Sequence, residues 1–424
     1  MKTGTAMPGS AKPLLICDLT QSYSAHGGGG ISTYLREKRE YLAAKTPHRH
    51  LQIVPGPEDR IVERGNHIWC EIGSDPVRGS PNYRFILRTS KVREVLAHYQ
   101  PDVIESLCPW ILPWTAIRHR RAFPGTALVA GYRTDFPEAH VHRVATDVGG
   151  KWFGKFMRFM SICYGEITYR EFDRIYTLGR DNLPALAEMK VDRVDMLNLG
   201  VDTNLFSPEA RDPAFRRELG LSGHGPLLAY AGRIDNEKKA DRLVELMRRL
   251  PREMGADLVM LGDGKLREPL ELVARSEGLP IAFTGFVGDR AQLARALASS
   301  DIYVSAMADE TFGISIIEAQ SCGLPVVGVH SGAMPARVTP QLGRLGPVDD
   351  IDAMTRFVQE IWRGEVEAMG QAARDHVLAN FSWDRTFERL LGTVYPPALA
   401  RAARRVGRPA PTTVITGAPI PEAT

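Results

Sequence analysis

The sequence predicts an α/β protein made of two doubly wound, Rossmann-like domains, and two observations carry that prediction. Short apolar runs rich in β-branched residues alternate with amphipathic stretches of helical period over most of the chain, the pattern of parallel sheets covered by helices. The 424 residues also exceed the roughly 250–300 at which a single core stops growing, so two domains of about 200 residues are expected.

In the first half the strands fall at LLICDLT (14–20), LQIVPG (51–56), DVIES (102–106), TALVAGY (126–132) and RIYTLG (174–179), with helices at 31–44 and 90–99 between them. In the second half they fall at PLLAYAG (226–232), ADLVMLG (256–262), IAFTGFV (281–287), DIYVSA (301–306) and LPVVGV (324–329), with helices at 239–250 and 290–299. NLGVDTNLFSPEARDP (198–213), with two prolines and several turn formers, reads as the linker, so the domains are placed at 1–200 and 201–380. The end of the chain is rich in Pro, Ala and Thr, and a disordered tail is expected over 401–424.

Composition excludes several functions. No run of about 18 uncharged apolar residues exists to span a bilayer. The apolar stretch after Pro13 is too short for a signal-peptide core and runs into Asp18, so a cytoplasmic protein is expected. Five scattered cysteines without a CxxC spacing argue against a disulfide framework and a zinc site; reduced, mostly buried thiols are expected. A net charge of +3 leaves any basic surface to local patches.

The stretch DETFGISIIEAQSCGLPVV (309–327) places Glu310 and Glu318 eight positions apart in an otherwise small and apolar run. A short helix opens at Gly313 and is ended by Gly323 and Pro325, so its N-terminus stands at the carboxyl ends of the strands, where doubly wound folds bind ligands. Amides at 312–315 then form an anion site suited to phosphate. A carboxylate on a largely apolar face, as Glu318 is, needs a partner, and a ribose would serve. The competing reading has Glu310 complementing the helix dipole and Glu318 facing water. Arg233 and Lys238, five residues apart after strand 226–232, can pair with a diphosphate or be ordinary surface charge. Gly262 and Gly264 punctuate another strand end.

Arg233 with Lys238, LGDGKLREPL, the TGFV turn at 284–287 and Glu310 with Glu318 together resemble the retaining GT-B glycosyltransferases of family four, as do the 198–213 segment and FSWDRTFERLL (381–391). The resemblance covers nearly the whole chain. It implies a GT-B architecture with two domains facing a central cleft, the first binding the acceptor and the second a nucleotide sugar, and a C-terminal helix at 381–400 crossing back to the first. It implies that Arg233, Lys238 and Glu310 act in catalysis, with Glu318 on the ribose and Thr311, Phe312, Gly313 and Ile314 on phosphate and sugar. Gly262, Phe286 and Val287 join them at the donor site.

In the first half, SAHGGGGISTYL (24–35) places Gly29 and Gly30 where backbone can approach a phosphate, and the resemblance assigns this loop to the cleft floor. A dinucleotide-binding reading competes but lacks the G-x-G-x-x-G spacing. In GYRTDFPE (131–138), Arg133 stands where many relatives carry a histidine that contacts the donor sugar; an internal ion pair with Asp135 or Glu138 is the other reading. In KWFGKFMRFMSICYGEITYR (151–170), Lys151, Lys155 and Arg158 form a cationic stripe beside a wide apolar face that includes Trp152. It fits an anionic membrane interface, or a buried aromatic helix with one solvated edge. RFILRTSKVR (84–93) and RHRR (118–121) add basic clusters, and nothing couples any of them to a nucleic-acid-reading motif.

The expected activity is transfer of a sugar from a UDP- or GDP-sugar, with retention, to a hydroxyl of a membrane lipid or lipid-linked glycan. No essential metal and no other cofactor is expected, protein cations taking the metal's place, and peripheral attachment at the inner face of the cytoplasmic membrane is expected. A nucleotide-sugar epimerase and a non-catalytic lipid-surface scaffold are the alternatives.

Overall fold

The computed structural model describes residues 12–23, 30–77, 80–308, 310 and 312–409. Residues up to Leu197, joined by those from Asp384 onward, form one unit, and Asn198–Trp383 form the other.

The first unit holds an eight-stranded sheet in the order Val194–Met196, Arg174–Thr177, Ala127–Tyr132, Val103–Ser106, Leu15–Leu19, Arg49–Gly56, His67–Gly73, Arg60–Arg64. Only the edge strand Arg60–Arg64 is antiparallel to its neighbour. The sequence reading found five of the six interior strands; it missed His67–Gly73 and both edges, Val194–Met196 and Arg60–Arg64. Leu15–Leu19 is buried at every position, as a strand covered on both faces must be, whereas Arg60–Arg64 carries three charges and is almost wholly exposed.

Two of the buried strand residues are acids. Asp18 and Glu105 are register partners on adjacent strands and are fully buried. Lys38, from the helix Gly30–Lys45, places Nζ 2.5 Å from Asp18 and 2.9 Å from Glu105. Glu105 also accepts from the hydroxyls of Tyr34, Tyr176 and Tyr395 at 2.7, 2.8 and 2.5 Å. His50 lies 2.7 Å from Asp18. Burial pushes the Asp18 carboxyl up, but Lys38 and His50 outweigh it and bring it down to about 2.

The last helices belong to this unit. In Trp383–Arg389, Phe387 packs its ring against Tyr34 and Tyr41 at 5.7 and 5.2 Å. Tyr395–Arg405 delivers Tyr395 to Glu105, and its Arg405 forks onto the buried Asp173 at 2.5 and 3.0 Å. This helix continues to Arg405, which corrects the disorder expected from 401; residues 410–424 lie outside the described residues.

Burial lowers the pKa of His48 and His50, and lowers that of His67 and His119 to about 4. The fold therefore holds these imidazoles neutral while the unfolded chain takes up protons near pH 6.5. Below that pH the unfolded state binds more protons, so stability present above pH 6.5 is lost progressively towards pH 4. Asp18 adds a further loss between about pH 4 and about 2. Denaturant midpoints at pH 7.5, 6 and 5 should fall in that order. His119, stacked on Phe123 at 4.7 Å with its Nε2 buried and unbonded, is the cleanest probe, and His119→Phe should make the decline shallower. A midpoint that does not move with pH would contradict this account.

The second unit is a six-stranded, wholly parallel sheet in the order Ile281–Gly285, Asp257–Leu261, Leu227–Ala231, Ile302–Val304, Val326–Val329, Gly343–Gly346. Its first strand is central and the order reverses between Leu227–Ala231 and Ile302–Val304, which makes the carboxyl ends of these two strands the switch point. The 198–213 segment, expected as a linker, is packed into this unit: Val201 and Phe206 are buried, and Arg374 donates to the carbonyls of Thr203 and Phe206 at 2.9 and 2.8 Å.

Candidate functional site

The switch point of the second unit gathers most of the residues singled out in the sequence. Tyr303, on the strand Ile302–Val304, donates to the carbonyl of Ala231 at 3.1 Å and lies 2.9 Å from the Ser315 hydroxyl. That contact fixes the start of the helix Ile314–Ser321 over the end of the neighbouring strand. Gly313 caps the helix in the left-handed region (φ 77°), where a Cβ would also meet Ile316 at 2.7 Å, so glycine is required there. At the other end, Arg374 donates to the Ser321 carbonyl at 2.7 Å.

Glu310 and Lys238 meet here. One Glu310 oxygen accepts from the Gly313 amide at 3.1 Å and the other lies 3.3 Å from Lys238 Nζ. The Gly313 amide, expected to face a phosphate, is thus held by the protein's own carboxylate. The first-turn amides of Ile314 and Ser315 have no acceptor within the helix, as helix geometry dictates. Phe312, expected beside the donor, is buried, and its carbonyl accepts from the buried Arg337 at 3.0 Å. Its ring and carbonyl thus hold the loop's shape. Thr311 lies outside the described residues.

Glu318 is 3% exposed but not unpartnered: Arg290 Nη2 stands 2.6 Å from its carboxylate and the same guanidinium stacks on Phe206 at 4.6 Å. The sequence reading expected a ligand to be the first partner, and the ion pair corrects it. Arg233 is 61% exposed in its side chain and pairs with Asp235 and Glu237 at 2.9 and 2.6 Å, so a diphosphate would have to compete with two acids for it. Gly262 allows its strand end to touch the next loop, a Cβ there meeting the Gly232 carbonyl oxygen at 1.9 Å. Phe286, 55% exposed, and Val287 follow the strand Ile281–Gly285 and offer an open ring beside the same sheet edge.

Gly30 and Arg133 belong to the first unit. Gly30 opens the helix Gly30–Lys45, and Gly29 lies outside the described residues. Arg133 follows the strand Ala127–Tyr132 and sets its guanidinium over the Tyr34 ring at 4.7 Å. The alternative ion pair with Glu138 is not made, because that carboxylate is taken by His142 at 2.7 Å and Arg158 at 3.2 Å. Arg133 Nη1 is buried without a hydrogen-bond partner.

The helix Arg143–Tyr169 is interrupted by non-helical geometry at Gly150 (φ 80°, ψ 175°). Its aromatic face is open: Trp152 is 84% exposed, with Phe156, Phe159, Met160 and Ile167 exposed along the same helix, which removes the buried-helix reading. Lys151 and Lys155 are exposed, and Lys155 lies over Trp152 at 5.6 Å. Arg158 does not complete the stripe, because Glu188 holds it with two bonds of 2.9 Å and Glu138 with a third. In the second basic run, Arg88 and Lys91 are likewise in ion pairs, with Asp59 and Glu94.

Residues 212–376 match the glycosyl transferases group 1 family and residues 28–205 match glycosyltransferase family 4. A GDP-mannose-dependent alpha-mannosyltransferase from Mycolicibacterium smegmatis is 31% identical over 85% of this chain and 92% of its own. The chain belongs to the group 1 glycosyltransferases. This glycosyltransferase is also 26% identical, over 89% of its length and 95% of the other, to a GDP-mannose-dependent alpha-(1-6)-phosphatidylinositol dimannoside mannosyltransferase from Mycobacterium tuberculosis. Among solved structures it shares its fold with a sucrose-phosphate synthase from Thermosynechococcus elongatus, with a TM-score of 0.70 at 20% identity over 88% of this chain and 96% of that one. The fold class is GT-B.

Arg290 is the residue of this glycosyltransferase's site that sequence reasoning missed. Its signal was present: a basic residue just past the end of the strand Ile281–Gly285, behind Asp289, whose side chain caps the next helix through the Ala291 amide at 2.9 Å.

Proposed function

We propose that this glycosyltransferase moves a sugar from a UDP- or GDP-sugar to a lipid-borne hydroxyl, with retention at the anomeric carbon and without an essential metal. The observation that carries the reading is the Lys238–Glu310–Gly313 chain at the switch point, with Glu318 within the helix that Gly313 caps and Arg290 at the start of the helix Arg290–Ala298. It joins a cation that can face a departing diphosphate to a carboxylate that can orient sugar hydroxyls, while Glu318, already fixed by Arg290, presents its carboxylate for a ribose without adopting a new geometry. Preorganised charge of this kind stabilises the leaving group without reorganisation. Lys238, Arg233 and the helix N-terminus supply the positive field that a divalent ion would otherwise provide. Both relatives named above are described as GDP-mannose-dependent, and one acts on a phosphatidylinositol dimannoside, which supports a nucleotide-sugar donor and a lipid acceptor. The exposed aromatic face from Trp152 to Ile167, flanked by Lys151 and Lys155, supports peripheral contact with an anionic membrane. Among the described residues no helix is long and apolar enough to cross one.

One assay tests the reading. Labelled UDP- and GDP-sugars are incubated with the protein in excess chelator, with anionic vesicles of extracted lipid or with soluble sugars, and the product's anomeric configuration is read by NMR. Label in the lipid fraction with the donor's configuration is expected. An inverted anomer removes retention, label only in soluble sugar removes the lipid acceptor, and activity that returns only with added divalent ion removes the metal-free mechanism.

A further inference from the structure

The first unit carries a cavity of about 360 Å³ at the edge of its sheet, on the antiparallel pair Arg60–Arg64 and His67–Gly73. Strand alternation sends Arg60, Val62 and Arg64 to one face, with Val62 opposite Trp69 and Arg64 opposite His67 in the register. Arg39, from the helix Gly30–Lys45, and Tyr23 complete the wall. The aromatic members form a row: Tyr23 meets Trp69 edge-on at 5.7 Å and His67 follows at 6.2 Å. Trp69 is held in orientation by its Nε1–H, which donates to Glu71 at 3.0 Å. Among the described residues no carboxylate lines the cavity, and its aromatic wall meets one acid, Glu71, through the Trp69 Nε1–H. Arg39 pairs only loosely, at 3.6 Å, with the exposed Glu40, which is not part of the wall. By contrast, the other arginine-rich cavity of this unit contains Glu171 and Asp173, which hold Arg120 and Arg405.

We propose that this cavity is an acceptor subsite that takes a polyol ring bearing an oxyanion, a sugar or cyclitol phosphate, with the ring against Trp69 and the oxyanion between Arg39, Arg60 and Arg64. Aromatic faces pack on the C–H side of sugar rings, and guanidinium forks match phosphate oxygens with paired bonds. Three guanidinium groups in one concavity outnumber the one acid that its wall meets, Glu71, and leave a positive field that an anion relieves. Tyr23 is the last described residue before the glycine-rich stretch at 24–30, which brings the subsite next in sequence to the loop assigned to the cleft floor. The inference rests on the glycosyltransferase reading above, in which the first unit holds the acceptor. The same chemistry could arrive as a free sugar phosphate or as the headgroup of a phosphoinositide lipid.

The test is calorimetric titration of the full chain with glucose 6-phosphate, inorganic phosphate and glucose, and vesicle binding with and without phosphatidylinositol. Arg60→Gln with Arg64→Gln, both on an exposed edge strand, should weaken glucose 6-phosphate roughly tenfold or more, the scale expected for lost charge-assisted bonds. Trp69→Leu should weaken glucose 6-phosphate and leave inorganic phosphate unchanged. Preference for the phosphatidylinositol vesicles, lost in the arginine variant, identifies the lipid source; binding of the soluble phosphate alone identifies the free one. Absence of saturable glucose 6-phosphate binding, or equal binding by the arginine variant, overturns the subsite. UDP and GDP are titrated into the same preparations: nucleotide binding without sugar-phosphate binding defeats the subsite and leaves the donor site standing, and the converse defeats the donor site alone.

Discussion

Lys38→Met is expected to lower the unfolding free energy by about 3–5 kcal/mol, the usual cost of removing one partner from a buried ionic cluster. The methylene stem of Lys38 is replaced by an apolar chain of similar length, so packing is nearly conserved and the loss is electrostatic. What remains is Asp18 beside Glu105 on adjacent strands, both fully buried and without the cation that lies within 3 Å of each. Three tyrosine hydroxyls still serve Glu105, and His50 still serves Asp18, so the penalty should fall mainly on Asp18. Against a total stability of roughly 5–15 kcal/mol the effect is large and should appear as a much lower melting temperature by circular dichroism. Asp18→Asn in the same background removes the orphaned charge and should restore part of the loss. Wild-type melting of Lys38→Met would mean that the cluster does not hold the sheet.

Lys238→Met should reduce kcat/KM by roughly 10²–10³-fold while leaving the fold intact, the scale seen when one preorganised electrostatic donor is removed. The side chain stands on a loop and is partly exposed, so its deletion opens no core cavity. It also strips Glu310 of its counter-charge, and an unneutralised carboxylate would repel the arriving diphosphate. Glu310→Gln added to Lys238→Met should therefore recover some nucleotide affinity without recovering turnover. Unchanged kcat/KM in Lys238→Met would place the leaving-group cation elsewhere.

How far the sequence could be read follows from where each residue's energy comes from. Interior strands such as Leu15–Leu19 and Leu227–Ala231 were legible because burial on both faces demands continuous apolar runs. The rim strands Arg60–Arg64 and Gly343–Gly346 were not, because pairing rather than burial makes them strands. Glu310 with Glu318, and Arg233 with Lys238, were found because each pair lies close in sequence just past an expected strand end. Their partners were harder. The pairing of Glu318 with Arg290 joins residues 28 positions apart, and that of Lys38 with Glu105 joins residues 67 apart. Such pairs are created by the winding of the sheet, which local periodicity does not encode. Arg158 shows the converse: helical spacing put it on the cationic stripe, and Glu188, on another helix, took it away.

The first unit is closed by residues that follow the second unit in sequence. Phe387, Tyr395 and Arg405 fill places beside Tyr34, Glu105 and Asp173, whereas the second unit is one continuous segment from Asn198 to Trp383. During synthesis at about 5–20 residues per second, the second unit is therefore complete in sequence before the first can be finished. The usual order of domain maturation on the ribosome is inverted. Until Trp383–Arg389 and Tyr395–Arg405 emerge, the Tyr34 ring lacks the cover of Phe387 and the Lys38 cluster lacks the Tyr395 hydroxyl. A stop codon between residues 384 and 395 would cost the first unit its closure while sparing the second.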